Sequence, residues 1–165
     1  MVRGHVFGDF LERCFMAIKV TKVDVWSGEM EDRAGALDRI LGVLTQAGVN
    51  LEGVIARRTA EKPGWGHVYL TPVKGKKAEA AAMAAGMMPV SKTTTLRVEM
   101  PNKAGTGYAV MGAIAAAGVN VRGITAVAAG TTSVAYIGFD SADDAARAAA
   151  AIKKVGASKK AGKKR

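Results

Sequence analysis

Two short loops carry the residues best suited to hold a small charged molecule. They read Asp-Arg-Ala-Gly at 32–35 and Asn-Lys-Ala-Gly at 102–105, and each stands immediately before a segment with helical periodicity. The N-terminus of a helix has unpartnered backbone N–H groups and partial positive charge, so a carboxylate is favoured there, and a glycine lets it approach the main chain. Asp32 and Asn102 are residue types that accept a hydrogen bond from an ammonium group.

A second feature recurs at the far end of each predicted helix. Gly-Val-Asn at 48–50 reappears unchanged at 118–120, and the amides of Asn50 and Asn120 offer both a donor and an acceptor, which suits the two halves of a zwitterion. The same residues also have an ordinary structural interpretation. Asp or Asn before a helix is a usual N-cap, and Gly-x-Asn after a helix is a usual C-terminal turn. Residue types alone leave both interpretations open.

The sequence indicates no catalytic residue, no metal site and no cofactor. The two histidines are His5 and His67, and neither has an indicated partner of the kind that a general base needs. The single cysteine, Cys14, excludes an intramolecular disulfide and a cysteine-based zinc site. No phosphate-binding glycine loop, nucleophile elbow or histidine–carboxylate metal cluster is present. We therefore predict that the protein is not an enzyme.

An internal repeat organises the chain. Residues 31–58 align without a gap on residues 101–128, with nine of 28 positions identical, and a second match at a shift of 67 pairs Tyr69 with Tyr136. The identical positions in the first copy are Ala34, Gly35, Gly42, Ala47, Gly48, Val49, Asn50, Gly53 and Ala56. Two copies of one folding unit are therefore expected.

Each copy reads as strand, helix, strand, strand, helix, strand, which is the ferredoxin-like arrangement of an α+β fold. In the first copy we predict strands over 18–26, 51–58, 65–71 and 89–92, a loop over 27–35, and helices over 37–47 and 76–85. In the second copy we predict strands over 93–100, 121–129 and 132–139 and helices over 106–117 and 141–155. No strand pattern follows the last helix, so the second copy lacks a clear last strand.

Composition fits a small globular protein. The 165 residues are 49% hydrophobic and 23% charged, and no apolar stretch is long enough to span a membrane. The net charge is +10, partly because of a lysine-rich end that we interpret as a solvated tail over 156–165. Residues 1–15 match neither repeat and are interpreted as a disordered extension or a mis-assigned start. The repeats then occupy 16–92 and 93–155, and we expect a cytoplasmic protein.

At its two loops the sequence resembles the ACT domain family, small regulatory modules that commonly bind amino acids. The family pattern is D-R-P-G-x-L before a helix and G-[IV]-N-[IL] after it. The first copy reads D-R-A-G-A-L at 32–37 and G-V-N-L at 48–51, and the second reads N-K-A-G-T-G at 102–107 and G-V-N-V at 118–121. Ala34 and Ala104 replace the proline, and Gly107 replaces the leucine that anchors the helix.

The resemblance implies two ligand sites where two ACT units lie side by side with their second strands joined in one continuous antiparallel sheet. Each site would combine the loop of one unit with an asparagine from the other. The implied ligand-binding residues are Met30, Asp32, Ala34, Gly35 and Asn50, and Met100, Asn102, Ala104, Gly105 and Asn120. It implies a non-catalytic regulatory protein that binds a small amino acid and whose change of shape or oligomeric state is sensed by a protein partner.

Two other functions stay open from the sequence. One is a protein–protein interaction module whose loops have lost ligand binding, favoured by the weakened second loop. The other is a nucleic-acid binder that uses the sheet and the basic tail, which requires aromatic residues exposed on a sheet face. Tyr69 and Tyr136 lie on predicted middle strands and are interpreted as core residues, which disfavours this function.

Overall fold

The computed structural model describes residues 18–161, with side chains as far as residue 156. Within them the chain forms two compact units. The inserted unit is Val23–Lys92, and the flanking unit combines the described residues up to Lys22 with those from Thr93 onward. The elements of the described chain are strands β1 (Lys19–Val23), β2 (Trp26–Glu31), β3 (Gly53–Arg58), β4 (Trp65–Thr71), β5 (Met88–Pro89), β6 (Thr94–Pro101), β7 (Gly123–Ala129) and β8 (Thr132–Phe139), and helices α1 (Ala36–Gln46), α2 (Lys76–Ala84), α3 (Thr106–Ala116) and α4 (Ala142–Ala161).

Each unit contains one four-stranded sheet. The strand order is β3-β4-β2-β5 in the inserted unit and β7-β8-β6-β1 in the flanking unit. β2 and β6 are the first strands of their repeats, and each lies beside the third strand in antiparallel register, with Met30 opposite Gly66 and Met100 opposite Ser133. The ferredoxin-like α+β fold predicted for both repeats is confirmed.

The predicted strand over 18–26 is wrong as a single element, because it divides between the two units. Its first part is β1 in the flanking unit, and its last residue begins β2 in the inserted unit. Between them, the carbonyl of Asp24 accepts a hydrogen bond from Thr71 Oγ1 at 2.8 Å and that of Val25 accepts one from the Val90 amide at 2.9 Å. These bonds hold the connecting residues against the inserted unit. That unit therefore begins at residue 23, whereas the sequence predicts that the first repeat begins at residue 16.

The segment 27–35 was predicted as a loop, but Trp26–Glu31 is a strand paired along its whole length with β4. Its β propensity is low, and the tertiary environment overrides that preference. Gly28 shows the constraint, because a Cβ at this position would lie 2.8 Å from the Gly86 carbonyl oxygen and 2.7 Å from Met87 Sδ. A glycine is needed where another backbone approaches a strand so closely.

The last strand missing from the second repeat is supplied by the start of the chain. β1 occupies the same place beside β6 that β5 occupies beside β2. Lys19 Nζ lies 3.3 Å from Glu99 Oε1, and Thr21 Oγ1 lies 3.4 Å from the Arg97 carbonyl oxygen. The flanking unit therefore has the complete four-strand order, with its strands joined in a different sequence along the chain.

Each unit forms one four-stranded sheet of the described strands, with β3 and β7 at an edge. The joining of these two edges into one continuous sheet stays a prediction. The last helix was expected to end at residue 155 but continues to Ala161, in keeping with the high helix propensity of alanine and lysine. The extension over 1–15 and the end of the tail over 162–165 lie outside the described residues.

Each unit has its own hydrophobic core on the helix-covered face of its sheet. Alternate residues of β4 and β8, such as Val68, Leu70, Ala135 and Ile137, are fully buried, and α1 buries the positions spaced by four at 36, 40 and 44. The prediction that Tyr69 belongs to a core is wrong. Its side chain is 40% exposed, because it alternates with Val68 and Leu70 and so lies on the opposite face of the sheet.

Tyr136 is half-buried and alternates in the same way with Ala135 and Ile137, so it too lies outside the core that those residues form. No helix among the described residues combines the length and the apolar character needed to cross a bilayer.

Candidate functional site

The two candidate loops share one backbone geometry. In the inserted unit β2 ends at Glu31 and α1 begins at Ala36, with Gly35 at the N-cap position in a left-handed conformation at φ 80°. In the flanking unit Gly105 takes the same role at φ 81° before α3. Neither helix has a side-chain hydrogen bond at its N-cap. The exposed residues Ala34, Gly35, Ala104 and Gly105 therefore present a helix start that no side chain covers.

Asp32 anchors the first loop instead of capping the helix. Its amide donates to the Gly64 carbonyl at 2.9 Å, and its carboxylate oxygens lie 2.9 and 3.1 Å from Arg58 Nε. Both partners belong to the β3–β4 hairpin, at the end of β3 and in the turn. The N-cap interpretation of this aspartate is therefore wrong.

Asn102 performs the same anchoring in the flanking unit with different chemistry. Its amide donates to the Thr131 carbonyl at 2.8 Å, and its side-chain Nδ2 donates to the Gly130 carbonyl at 2.9 Å. Here a neutral amide and a turn carbonyl replace the ion pair of the first loop. Sequence reasoning missed Arg58 and Gly130 as partners, although the repeat alignment places Asp32 and Asn102 at matching positions.

The two methionines belong mainly to the cores. Met100 is 5% exposed within the core of the flanking unit, and Met30 is half-buried against that of the inserted unit. Both lie on the face of the first strand that is turned toward the helices. The structure thus places them directly before the loops, with Met100 held in its core and Met30 partly accessible.

The asparagines lie at the other end of each helix. Asn50 is exposed in the connection from α1 to β3, and Asn120 is exposed in the connection from α3 to β7. An eleven-residue helix spans about 16 Å. Within one unit, therefore, Asp32 and Asn50 do not reach the same small molecule.

Ion pairs surround the first loop. A hydrogen bond from Arg33 holds the pKa of Glu31 below its usual range, with smaller contributions from the charges of Arg33 and Arg39. A bond from Lys62 Nζ, 2.5 Å from Glu29, lowers the pKa of that carboxyl in the same way. Both carboxylates are therefore charged at neutral pH.

Lys62 Nζ also lies 3.9 Å from the centre of the Trp65 ring, a cation–π contact. No cluster of His, Cys, Asp and Glu able to hold a metal ion occurs in the described part of the chain. His5 and Cys14 lie outside it.

A comparison with models of protein families agrees with the fold of the inserted unit. A family model of the ACT domain matches residues 29–85, which covers β2 through α2 of the inserted unit. The match to the ACT domain thus lies within the inserted unit, and the flanking unit has the same order of strands in its sheet. A comparison with curated protein sequences gives no significant match.

Solved structures share the architecture of both units. A protein of Bacteroides thetaiotaomicron matches with a TM-score of 0.67 and 19% identity, covering 86% of this chain and 90% of the other. The ligand-free regulatory subunit of aspartate kinase from Thermus thermophilus matches with a TM-score of 0.61 and 12% identity, covering 86% and 98%. The corresponding subunit from Thermus flavus matches with a TM-score of 0.57 and 13% identity, covering 86% and 97%. These likenesses concern the fold.

Proposed function

We propose that this is a cytoplasmic, non-catalytic regulatory protein that binds a small amino acid at its helix-start loops. The observation that carries the proposal is the uncapped helix start at Gly35 and Gly105, held in the same conformation in both repeats. The ligand carboxylate binds backbone N–H groups of the first helical turn other than those of Ala36 and Thr106, which already donate to the Arg33 and Lys103 carbonyls. The ligand ammonium binds Asp32 in one repeat and the Asn102 side-chain oxygen in the other, and the alanines and glycines around them leave the main chain accessible.

The proposed site takes residues from two ACT units. Asn50 and Asn120 are exposed, yet each lies the length of a helix away from the loop of its own unit. Their amides contact a ligand held by the loop of a different unit, where they complete the shell of donors and acceptors around the zwitterion. Ligand binding then favours one arrangement of ACT units over others, because only that arrangement forms the complete site.

Regulation follows from this coupling. A protein partner that recognises the arrangement selected by the ligand is itself controlled by the amino acid, with reciprocal coupling between the two binding events. The similar fold of aspartate kinase regulatory subunits supports a regulatory role of this type.

The experiment is a thermal-shift screen of the full chain with each of the twenty amino acids at millimolar concentration. A ligand present at about 100 times its Kd stabilises the folded state by about 2.7 kcal/mol, which is a shift of several degrees for a protein of this size. One amino acid or a small chemical group of them is expected to raise Tm in the unaltered protein, and less so in Asn50→Ala. No stabilisation by any of the twenty would contradict the proposal.

One observation favours a second candidate function, a protein–protein interaction module without ligand. The Asp32 carboxylate is already paired with Arg58, and Asn102 Nδ2 already donates to Gly130. If Asp32→Asn and Asn50→Ala leave partner binding intact and no amino acid alters it, this second function is the correct one.

A further inference from the structure

A groove of about 330 Å³ opens on the inserted unit, apart from the Asp32 and Asn50 positions discussed above. It lies among β2, the first residue of β4, the first two turns of α1 and the end of α2. The residues that line it are Glu29, Met30, Glu31, Ala36, Arg39, Ile40, Val43, Trp65, Ala84 and Ala85. All of them belong to one compact unit, so the groove exists within a single ACT fold.

Part of the groove wall is apolar, and the charged residues Glu29, Glu31 and Arg39 form the rest together with main-chain atoms. Ile40 is 8% exposed, Val43 is 37% exposed, and Met30 and Ala85 are half-buried. The volume is at the lower end of the range of small-molecule sites, which is about 300–1,000 Å³. A compact branched or cyclic hydrocarbon group is the chemistry that removes this surface from water.

Positive charges at the rim outnumber negative ones by one, with Lys62, Arg33 and Arg39 facing Glu29 and Glu31. Glu29 is paired with Lys62 and Glu31 is paired with Arg33, so both carboxylates are neutralised. Arg39 is exposed at the rim and has no ion-pair partner within 4.0 Å among residues 18–156, whose side chains are described. A planar guanidinium beside an apolar wall suits a carboxylate, which it can bind through two parallel hydrogen bonds.

We propose that this groove binds a small apolar monocarboxylate, with the hydrocarbon group against Met30, Ile40 and Val43 and the carboxylate on Arg39. A free amino acid gains less in this groove, because the carboxylates that could bind its ammonium, Glu29 and Glu31, are already paired with Lys62 and Arg33. The preferred ligand is therefore a branched-chain or aromatic carboxylic acid, including 2-oxo acids, rather than an amino acid. The groove shares Met30 with the residues implied for amino-acid binding and borders the start of α1 at Ala36, but its charged contact, Arg39, lies outside the helix-start loop.

The second repeat supplies an internal contrast. The repeat alignment places Ala109 at the position of Arg39, Ala113 at that of Val43 and Thr132 at that of Trp65. The guanidinium, the larger aliphatic group and the indole are thus all confined to the inserted unit. Binding is expected in that unit alone, with one carboxylate per chain.

The test uses the full chain and three matched probes: 4-methylpentanoate, leucine, which adds the ammonium, and 4-methylpentan-1-ol, which lacks the charge. Amide NMR titration follows binding residue by residue. We expect 4-methylpentanoate to shift the amides of residues 39–43 and 84–85 and to bind at least about tenfold more tightly there than the alcohol or leucine, the difference of one charge-assisted contact. Leucine bound at the loops would instead shift residues 32–36 and 102–106, which keeps the two proposals separable.

Arg39→Gln is expected to weaken 4-methylpentanoate binding about tenfold or more. Arg57→Gln is the matched control, since it removes an exposed arginine of the same unit that is not part of the groove, and it should leave the affinity unchanged. Val43→Trp fills the groove from the helix surface and should abolish binding, with circular dichroism checking that the variant is folded. The proposal is overturned if the alcohol binds as tightly as the acid, if Arg39→Gln has no effect, or if no probe shifts the groove amides at about 10 mM.

Discussion

Arg58 and Asp32, 26 residues apart in the chain, form an ion pair in which Nε lies 2.9 Å from one carboxylate oxygen and 3.1 Å from the other. The pair connects the end of β3 to the loop before α1. The same carboxylate is the group proposed to accept a ligand ammonium, so Arg58 and the ligand compete for it. Arg58 is 83% exposed, which limits the contribution of the pair to stability to about 1 kcal/mol or less.

We predict that Arg58→Gln raises the affinity for the cognate amino acid by up to about fivefold, because the competing cation is removed. Asp32→Asn is expected to have the opposite effect and to weaken binding. Isothermal titration calorimetry of both variants measures the change, and Arg57→Gln controls for the loss of a neighbouring positive charge. Weaker binding by Arg58→Gln would show that the pair organises the loop for the ligand instead of competing with it.

The left-handed glycine before α1 gives a second prediction. A Cβ on Gly35 would meet nothing within 4 Å, so the only destabilising effect of Gly35→Ala is the strain of an alanine held at φ 80°. We expect a loss of about 1–2 kcal/mol in the free energy of unfolding of the inserted unit, measured in urea.

Gly42→Ala is the matched control within the same helix. A Cβ there also meets nothing within 4 Å, but Gly42 lies in the interior of α1, so alanine should stabilise the unit by about 0.5–1 kcal/mol. Equal effects of the two substitutions would contradict the conformational role given to Gly35.

Local patterns in the sequence were sufficient for most of the fold. The repeat alignment, the helical spacing of Ile40 and Leu44, and the alternation in β4 and β8 each reflect residues that face a core, so they predict elements directly. β4 and β8 have the predicted bounds, 65–71 and 132–139.

What the sequence could not provide is which elements pair over long distances. A strand pattern at residues 18–26 shows no difference between the part that joins β6 and the part that joins β4. The anchoring contacts have the same limitation, since nothing local to Asp32 indicates that Arg58 lies beside it. The exposure of Tyr69 followed from alternation alone, once the core face of β4 was assigned through Val68 and Leu70.

Strand β1 precedes the inserted unit in the chain but belongs to the sheet of the flanking unit, and this gives a third prediction. Val20 packs against the core of the flanking unit, although the chain continues directly into the inserted unit. Val20→Asp should therefore reduce hydrogen-exchange protection of β6 and β8 and leave β2 and β4 protected. Met88→Asp, on the equivalent strand β5 and 62% exposed, should leave protection in both units nearly unchanged. Loss of protection in β2 after Val20→Asp would contradict the strand assignment.

The contact between β1 and β6 also predicts a pH dependence. A hydrogen bond from Arg97, with a smaller contribution from Lys19, holds the pKa of Glu99 below its usual range. Because the folded-state pKa is the lower one, this contribution is present above the ordinary glutamate value of 4.5 and is lost as the pH falls below it. Hydrogen-exchange protection of β6 should fall as the pH is lowered through this region, and it should fall less steeply in Glu99→Gln. Glu31→Gln, which alters a similarly lowered pKa in the other unit, should leave the β6 profile unchanged; an unaltered slope in Glu99→Gln would refute this role.

The most direct measurement is an amide NMR titration of the full chain with the amino acid that stabilises it most. We predict that the backbone amides of residues 34–36 and 104–106 shift together with the side-chain amides of Asn50 and Asn120, at one common Kd. Shifts confined to other surfaces, or loop amides that stay unchanged at saturating ligand, would contradict amino-acid binding at the starts of α1 and α3.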